Sequence, residues 1–444
     1  MTAPPNSSAY DAYKCSSIRW LEKIPSHWGI SRSKHLFSQR IERAKKEDVQ
    51  LSATQAYGVI PQDQFESMVG RKVVKITLHL DKRKHVEVND FVISMRSFQG
   101  GLERAWAAGC IRSSYVVLRP LKELDSSYYG YLFKSKRYIE ALQSTASFIR
   151  DGQDLNFYNF SQVDLIFPPY CEQIAIADFL DRKVGLIDQA LSVKERQIEL
   201  LKERKQILVQ KAVMLGLDPN VSMKDSGIEW IGEIPAHWVI KRLKYVLEER
   251  NERSKTGEEP LFMVSQVHGL VVRSEYHEKA EVAASNVDNK IVFEGDLVFN
   301  KLKAHLGVFF KSCIPEKGIV SPDYAVYKRK AYIDDLKLLE YLFRNPSYIS
   351  QFVVRATGIV EGLIRLYTSE LFDMPVPVAP SDEQREILRF IEKVSEKQDK
   401  AIVLLEEQIT KLKEYKSTMI NSAVTGKIKV PGVVEPERQD LEMA

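Results

Sequence analysis

Two short stretches carry residues at spacings close to catalytic motifs, and each lacks a necessary part. Phe167-Pro168-Pro169-Tyr170 comes near the Asp/Asn-Pro-Pro-aromatic arrangement of adenine methyltransferases, whose polar first residue holds the amino group of a flipped base. Phe167 has no hydrogen-bonding group for that task, and no glycine-rich cofactor loop accompanies it. Pro322-Asp323 with Asp335-Leu336-Lys337 imitates a nuclease in which carboxylates bind a metal and a lysine assists. Asp335 and Lys337, however, fall in the amphipathic pattern DDLKLLEYLF, and an earlier copy of the region has Ser114-Tyr115 where Asp323-Tyr324 stands. A solvated helix face accounts for them better. No GxxxxGKS/T stretch is present to cradle nucleotide phosphates. Cys15, Cys110, Cys171 and Cys313 are scattered, without CxxC or paired histidines nearby, so neither a zinc site nor a disulfide framework is indicated. No catalytic residue and no metal site is assigned.

What must be positioned is therefore a surface, and the elements that would position it are plain. With 444 residues, 44% hydrophobic and 10% aromatic content, the chain has material for two or three packed domains. A net charge of +4 permits a nucleic-acid partner without announcing one. No apolar run suits a signal peptide or a membrane span, which leads to the expectation of a cytoplasmic protein without a membrane partner.

Glu172 to Leu215 reads as one long helix. Its a/d seam runs Leu180, Val184, Ile187, Leu191, Lys194, Ile198, Leu201, Lys205, Leu208, Ala212 and Leu215, a coiled-coil pattern. The design returns 211 positions later, from Glu383 to about Gly426, with Ile391, Ser395, Gln398, Ile402, Leu405, Ile409, Leu412, Lys416, Met419 and Ala423 on the seam. Prolines 168, 169 and 380 stop an extended segment, and Glu172-Gln173 and Glu383-Gln384 open the first turns, where acidic groups suit the helix dipole. At 1.5 Å per residue each helix is on the order of 60 Å long, the length of a spacer or docking rod. Long heptad helices also serve simple self-association, so the rest of the chain has to decide.

The rest is duplicated too. IRWLEKIPSHWGISRSKHLF (Ile18 to Phe37) matches IEWIGEIPAHWVIKRLKYVL (Ile228 to Leu247), with Trp20, Pro25, His27 and Trp28 aligned on Trp230, Pro235, His237 and Trp238. Indoles held at fixed spacing before each module are best read as packed anchors. Tyr131-Leu132-Phe133 with Tyr138 recurs as Tyr341-Leu342-Phe343 with Tyr348, a core helical pattern. Between anchor and rod lie short β-like runs, Val73 to Leu80, Asp90 to Ser94, Tyr115 to Leu118, Lys290 to Phe293, Asp296 to Phe299 and Tyr324 to Tyr327, mixed with helices. The fold class is α+β: two mixed modules in tandem, each followed by a long coiled-coil helix, the helices pairing antiparallel with pseudo-twofold symmetry. The boundaries are residues 1–170 for the first module, 171–217 for its helix, 218–380 for the second module, 381–430 for its helix and 431–444 for a tail. Within the modules identity vanishes, Ser97-Phe98-Gln99-Gly100-Gly101 facing Lys301-Leu302-Lys303-Ala304-His305-Leu306-Gly307. Two similar frames with different surfaces suit the reading of two different half-sites.

In this duplicated order the chain resembles the specificity subunits of type I DNA restriction-modification enzymes. The carriers are IRWLEKIPSHW and IEWIGEIPAHW, the helix starts FPPYCEQIAIADFLDRK and APSDEQREILRFIEK, and the closing AVTGKIKV. The first helix departs from that ending with Ala212-Val213-Met214-Leu215-Gly216. The resemblance implies a non-catalytic subunit that reads a bipartite, asymmetric site on double-stranded DNA. It also implies docking of two adenine-methylating subunits and of restriction/translocase subunits, with S-adenosylmethionine, ATP and magnesium on those partners and no cofactor on this chain. Rods of this length could set two modules about one helical turn, roughly 34 Å, apart on DNA.

Base readout would need Arg or Lys for guanine and Gln or Asn for adenine. The matched loops Ser52 to Gly58 and Met263 to Gly269 supply Thr54, Gln55 and Tyr57, and Ser265, Gln266 and His268. Later loops supply Arg96, Gln99 and Arg112, and Lys301, Lys303 and His305. Arg71, Lys72 and Lys75 are candidates for phosphate contacts, which position without specifying. Candidate coiled-coil and docking residues are Leu180, Val184, Ile187, Leu191, Ile198, Leu201, Leu208, Ile391, Ile402, Leu405, Ile409 and Leu412. The alternative is a coiled-coil scaffold or DNA-organising protein without sequence preference.

Overall fold

The computed structural model describes residues 8–73, 82–94, 96–145, 155–266, 268–276, 285–357 and 365–436. Both rods form as single helices, Tyr170–Leu215 and Ser381–Val424. Nothing inside either sequence interrupts the backbone ladder: prolines fall only ahead of the helices, and Gly216 and Gly426, at φ of 76° and 70°, close them. Along the seams Leu180, Ile187, Leu191, Ile198, Ile391, Ile402 and Ile409 are buried and Val184, Leu201, Leu208, Leu405 and Leu412 half-buried. Leu215 departs from the seam reading and is exposed.

Chain contacts group into two compact units, residues 1–195 with 406–444, and residues 196–405. In the first unit a four-stranded antiparallel sheet runs Phe37–Arg40, Val116–Pro120, Phe91–Ile93, Glu103–Arg104. In the second the order Leu247–Glu249, Tyr324–Arg329, Leu297–Asn300, Phe309–Lys311 repeats it. Asp90 to Ser94, Tyr115 to Leu118, Asp296 to Phe299 and Tyr324 to Tyr327 thus supply the central strands, whereas Lys290 to Phe293 supplies Lys290–Val292, paired with Gly318–Val320 in a separate two-stranded sheet. The run from Val73 to Leu80 lies, beyond Val73, outside the described residues.

The anchors pack as expected. Trp28 and Trp238 are buried, and Trp20 and Trp230 stand edge-on to Tyr138 and Tyr348 at 6.1 and 4.8 Å. The glutamates at the helix starts do more than face a dipole. Glu172 accepts hydrogen bonds from the Trp28 indole at 2.9 Å and the Tyr10 hydroxyl at 3.2 Å and meets His27 Nε2 at 2.5 Å. Glu383 accepts from the Trp238 indole at 2.9 Å and meets His237 Nε2 at 2.7 Å. Gln173 donates to the Pro168 carbonyl and Gln384 to that of Ala379, each at 2.8 Å. Each Gln also accepts a backbone N–H at 2.9 Å, from Asp125 and Asp334. Glu-Gln therefore clips each rod to its own module.

The far end of the opposite rod completes each unit. In the first, a Cβ on Gly426 would fall 2.5 Å from Pro25 and 3.0 Å from Trp28; in the second, one on Gly216 would fall 2.7 Å from Glu383. Both positions need glycine for backbone angle, and Gly426 also for space beside the Pro25 ring. Ala212, Val213 and Met214 accordingly join the core around Trp238, Leu339 and Ile387.

A smaller core lies beneath each module's outer hairpin: Leu51, Val59, Val86, Val92, Ala105, Ile111 and Val117 in the first, and Phe262, Val292, Val298, Val320 and Val326 in the second. Arg40 grips buried Asp90 through two bonds of 2.6 and 3.1 Å, and Arg250 grips Asp296 at 2.8 and 3.1 Å. Burial pushes both aspartate pKa values up despite the guanidinium groups that pull them down.

Candidate nucleic-acid interface

The two matched loops are the tips of β-hairpins. Leu51–Thr54 pairs with Gly58–Pro61, and Phe262–Ser265 with Gly269–Val272. Three residues cross each tip, followed by a glycine at φ of 71° or 78°, a conformation that L side chains resist. That requirement explains the shared Gly58 and Gly269. Thr54 Oγ1 accepts from the Tyr57 N–H at 3.0 Å and donates to the Gly58 carbonyl at 3.1 Å; Ser265 Oγ accepts from the His268 N–H at 3.2 Å. These hydroxyls close the turns. Thr54 and Ser265, candidates for base contact, thus have hydroxyls that also shape the loops.

The tips themselves present Gln55 and Tyr57 in one module and Gln266 and His268 in the other, all exposed. In the first module the structure brings several candidates together. Gln55 Nε2 donates to the Arg96 carbonyl at 3.3 Å, and a Cβ on Gly100 would lie 2.5 Å from the same nitrogen. The tip thus rests on the short helix Ser97–Gly100, which carries exposed Gln99. Lys134 donates to the Gln55 carbonyl at 2.8 Å and pairs with buried Glu103 at 2.7 Å, fixing the platform from behind. Arg112 is exposed in the turn that follows Gly109–Ile111, beside the hairpin. Arg71 and Lys72 are exposed past the Gly70 that ends Gln62–Val69. Lys75 lies outside the described residues.

In the second module Lys301, Lys303 and His305 occupy a 3-10 stretch, Lys301–Leu306, kinked at Lys303. Lys303 and His305 are exposed. Lys301 is half-buried and its ammonium lies 3.6 Å from Glu249, which also takes Lys290 at 3.1 Å. Burial, then the charge of Lys290, lower the Lys301 pKa. Burial would raise that of Glu249, but the two lysines bring it below the ordinary range. Lys301, a candidate for base contact, thus has its ammonium beside an internal carboxylate.

Sequence reasoning missed two aromatics. Trp106 is 56% exposed beside the first hairpin, and Tyr276 is exposed with its ring 5.0 Å from His268. A tryptophan standing among small residues, Ala105 and Ala107 to Gly109, was the available signal for the first. Among the described residues no cluster of His, Cys, Asp or Glu could hold a metal ion, and no helix is long and apolar enough to cross a membrane.

The rods bring a further surface. Leu186, Val193, Leu200 and Ile207 recur every seven residues on the first helix, and all are exposed. The seam residues proposed for docking are, by contrast, mostly covered within the chain.

No family model matches the chain. In sequence it is similar to the EcoKI specificity subunit, a type I restriction enzyme component of Escherichia coli K12, at 24% identity over 63% of this chain and 60% of that one. It is also similar to a putative type I restriction enzyme MjaX specificity subunit of Methanocaldococcus jannaschii, at 24% identity over 71% of each. The match thus spans less than two thirds of the E. coli relative. In fold it is similar to a chain from a structure on complex assembly and conformational transition of the type I R-M system, with a TM-score of 0.64 and 14% identity over 91% of this chain and 99% of that one. The HsdS subunit from Thermoanaerobacter tengcongensis gives a TM-score of 0.52 and 13% identity over 91% and 98%. The resemblance carried by the duplicated anchors and helix starts is therefore to type I specificity subunits, in sequence and in fold.

Proposed function

We propose that this chain is the specificity subunit of a type I restriction-modification assembly, in which each module reads one half of a split DNA target. The observation that carries this is the pair of hairpin tips: matched strands, matched turn chemistry and matched glycine, presenting Gln55 and Tyr57 in one module and Gln266 and His268 in the other. Side chains at such tips can enter a major groove, where Gln pairs with adenine and basic groups with guanine.

The rods pair antiparallel in this reading. In the first unit Lys416 meets Asp188 at 2.6 Å, and in the second Lys205 meets Asp399 at 2.8 Å. The 211-residue repeat turns one pair into the other, as pseudo-twofold symmetry requires. The exposed stripe from Leu186 to Ile207 is the part suited to docking a partner helix, and methylation and restriction subunits are the partners proposed. Those subunits would carry the chemistry, with S-adenosylmethionine, ATP and magnesium, and this chain none; the cytoplasm is the compartment proposed.

Selection from a random duplex library by the chain assembled with a methylation subunit tests the reading. A motif of two fixed blocks around an unspecified spacer is expected, and enrichment of no motif would favour a scaffold. Hypothesis: removing one heptad from both rods changes the tolerated spacer and leaves both blocks unchanged. Altered blocks with an unaltered spacer would reject the ruler.

A further inference from the structure

Resting on the reading just given, we infer that Trp106 is a specificity-determining contact of the first module, laying its indole against base edges of that module's half-site. The two modules can be superposed residue by residue at this point. The Asn89 N–H donates to the Ala105 carbonyl and the Gly295 N–H to that of Ser312, each at 2.8 Å, while Ala105 and Ser312 donate to Asp90 and Asp296 at 2.8 and 2.7 Å. Trp106 therefore stands where the second module has Cys313, and Arg104 where it has Lys311.

The first module builds a mount around that indole. The Trp106 backbone N–H donates to the Val59 carbonyl at 3.0 Å, tying the residue to the hairpin. A Cβ on Gly58 would lie 2.8 Å from the indole nitrogen, so the glycine that makes the turn also makes room for the ring. The Arg104 guanidinium sits 4.3 Å from the ring centroid, a cation–π contact. Arg104 is itself fixed, donating to Asn89 Oδ1 at 2.9 and 2.6 Å and to Ser127 Oγ at 2.7 Å. Asn89 holds a left-handed φ of 70°, whereas the second module has Gly295 there and no side chain for the task. A ring this well held, yet 56% exposed, is not explained by packing. The indole lies against Gly58, the residue that follows Tyr57 at the hairpin tip. Aromatic and apolar groups in the major groove recognise the thymine methyl.

The test uses the full chain assembled with its methylation subunit, comparing wild type, Trp106→Ala and Trp106→Phe by duplex binding and by the selected motif. Trp106→Ala should weaken binding about 5- to 150-fold and relax positions in one block only. Trp106→Phe should retain part of the affinity and lose the part of the DNA-induced tryptophan quenching that wild type shows. A wild-type motif left unchanged in Trp106→Ala, with unchanged affinity, overturns this inference alone. A wild type with no motif overturns the functional reading and this inference together. Should the alanine variant misfold, equal quenching in wild type and Trp106→Phe overturns it.

Discussion

The two modules share what holds a frame and differ in what stands on it. Arg40–Asp90 and Arg250–Asp296 are the same bidentate pair, and Gly101 and Gly307 both pass close to the carbonyls of Phe133 and Phe343, where a Cβ would fall 2.1 and 2.7 Å away. Yet Tyr57 corresponds to His268, Trp106 to Cys313, and buried His85 to Ile291. Duplication preserved the ion pair and the close glycine contacts that hold each frame, while both exposed positions such as Trp106 and a buried one, His85, changed.

The largest expected effect lies in the shared part. Arg40→Met or Arg250→Met leaves a buried aspartate without its counter-ion and should cost about 3–5 kcal/mol, with like values in both modules. Hydrogen exchange in Val116–Pro120 and Tyr324–Arg329 reads the two separately. A loss in one module only would break the equivalence.

A smaller and unequal effect is expected at the helix clips. Glu172→Ala strands a buried indole N–H and should cost about 1–3 kcal/mol. Glu383 is 23% exposed at its side chain, so water can replace it at Trp238, and Glu383→Ala should cost about 0.5–1.5 kcal/mol. Local exchange around each helix start decides the order, and a larger cost at Glu383 would contradict the burial argument.

The smallest is a pH effect confined to the first module. Burial alone would lower the His85 pKa, but hydrogen bonds to Glu87 at 2.7 Å and Asp48 at 2.8 Å raise it above its ordinary 6.5. A raised folded pKa means stabilisation that is complete below about 6.5 and is lost as pH climbs through the folded value. Exchange in Lys84–Val86 should therefore quicken across that window beyond its intrinsic pH dependence, and His85→Gln should remove the excess. The same excess in Lys290–Val292, where Ile291 does not titrate, would contradict this origin.

Much of the frame was legible because it is periodic. The rods followed from seam spacing, and the central strands from apolar runs such as Tyr324 to Tyr327. The anchor tryptophans followed from their repetition. The interface was less legible because side-chain commitment depends on distant partners: nothing near Lys301 in sequence announces Glu249, and nothing near Thr54 says that its hydroxyl closes a turn. Trp106 was passed over because its mount is assembled from Gly58, Asn89, Arg104 and Ser127, residues far apart along the chain. The Glu-Gln pair at each rod start was seen, but its tie to the anchors appears only when the strand pairs Gly29–Arg32 with Asp164–Phe167 and Val239–Arg242 with Pro375–Val378 form.

The central claim is that two frames read two half-sites, and adenine modification reports it most directly. The chain would be co-expressed with its methylation subunit in a host free of adenine methylation, and modified adenines mapped across the genome. One bipartite motif, with two fixed blocks and a constant spacer, is the expected result. No new methylation from a complex that purifies intact would contradict the account.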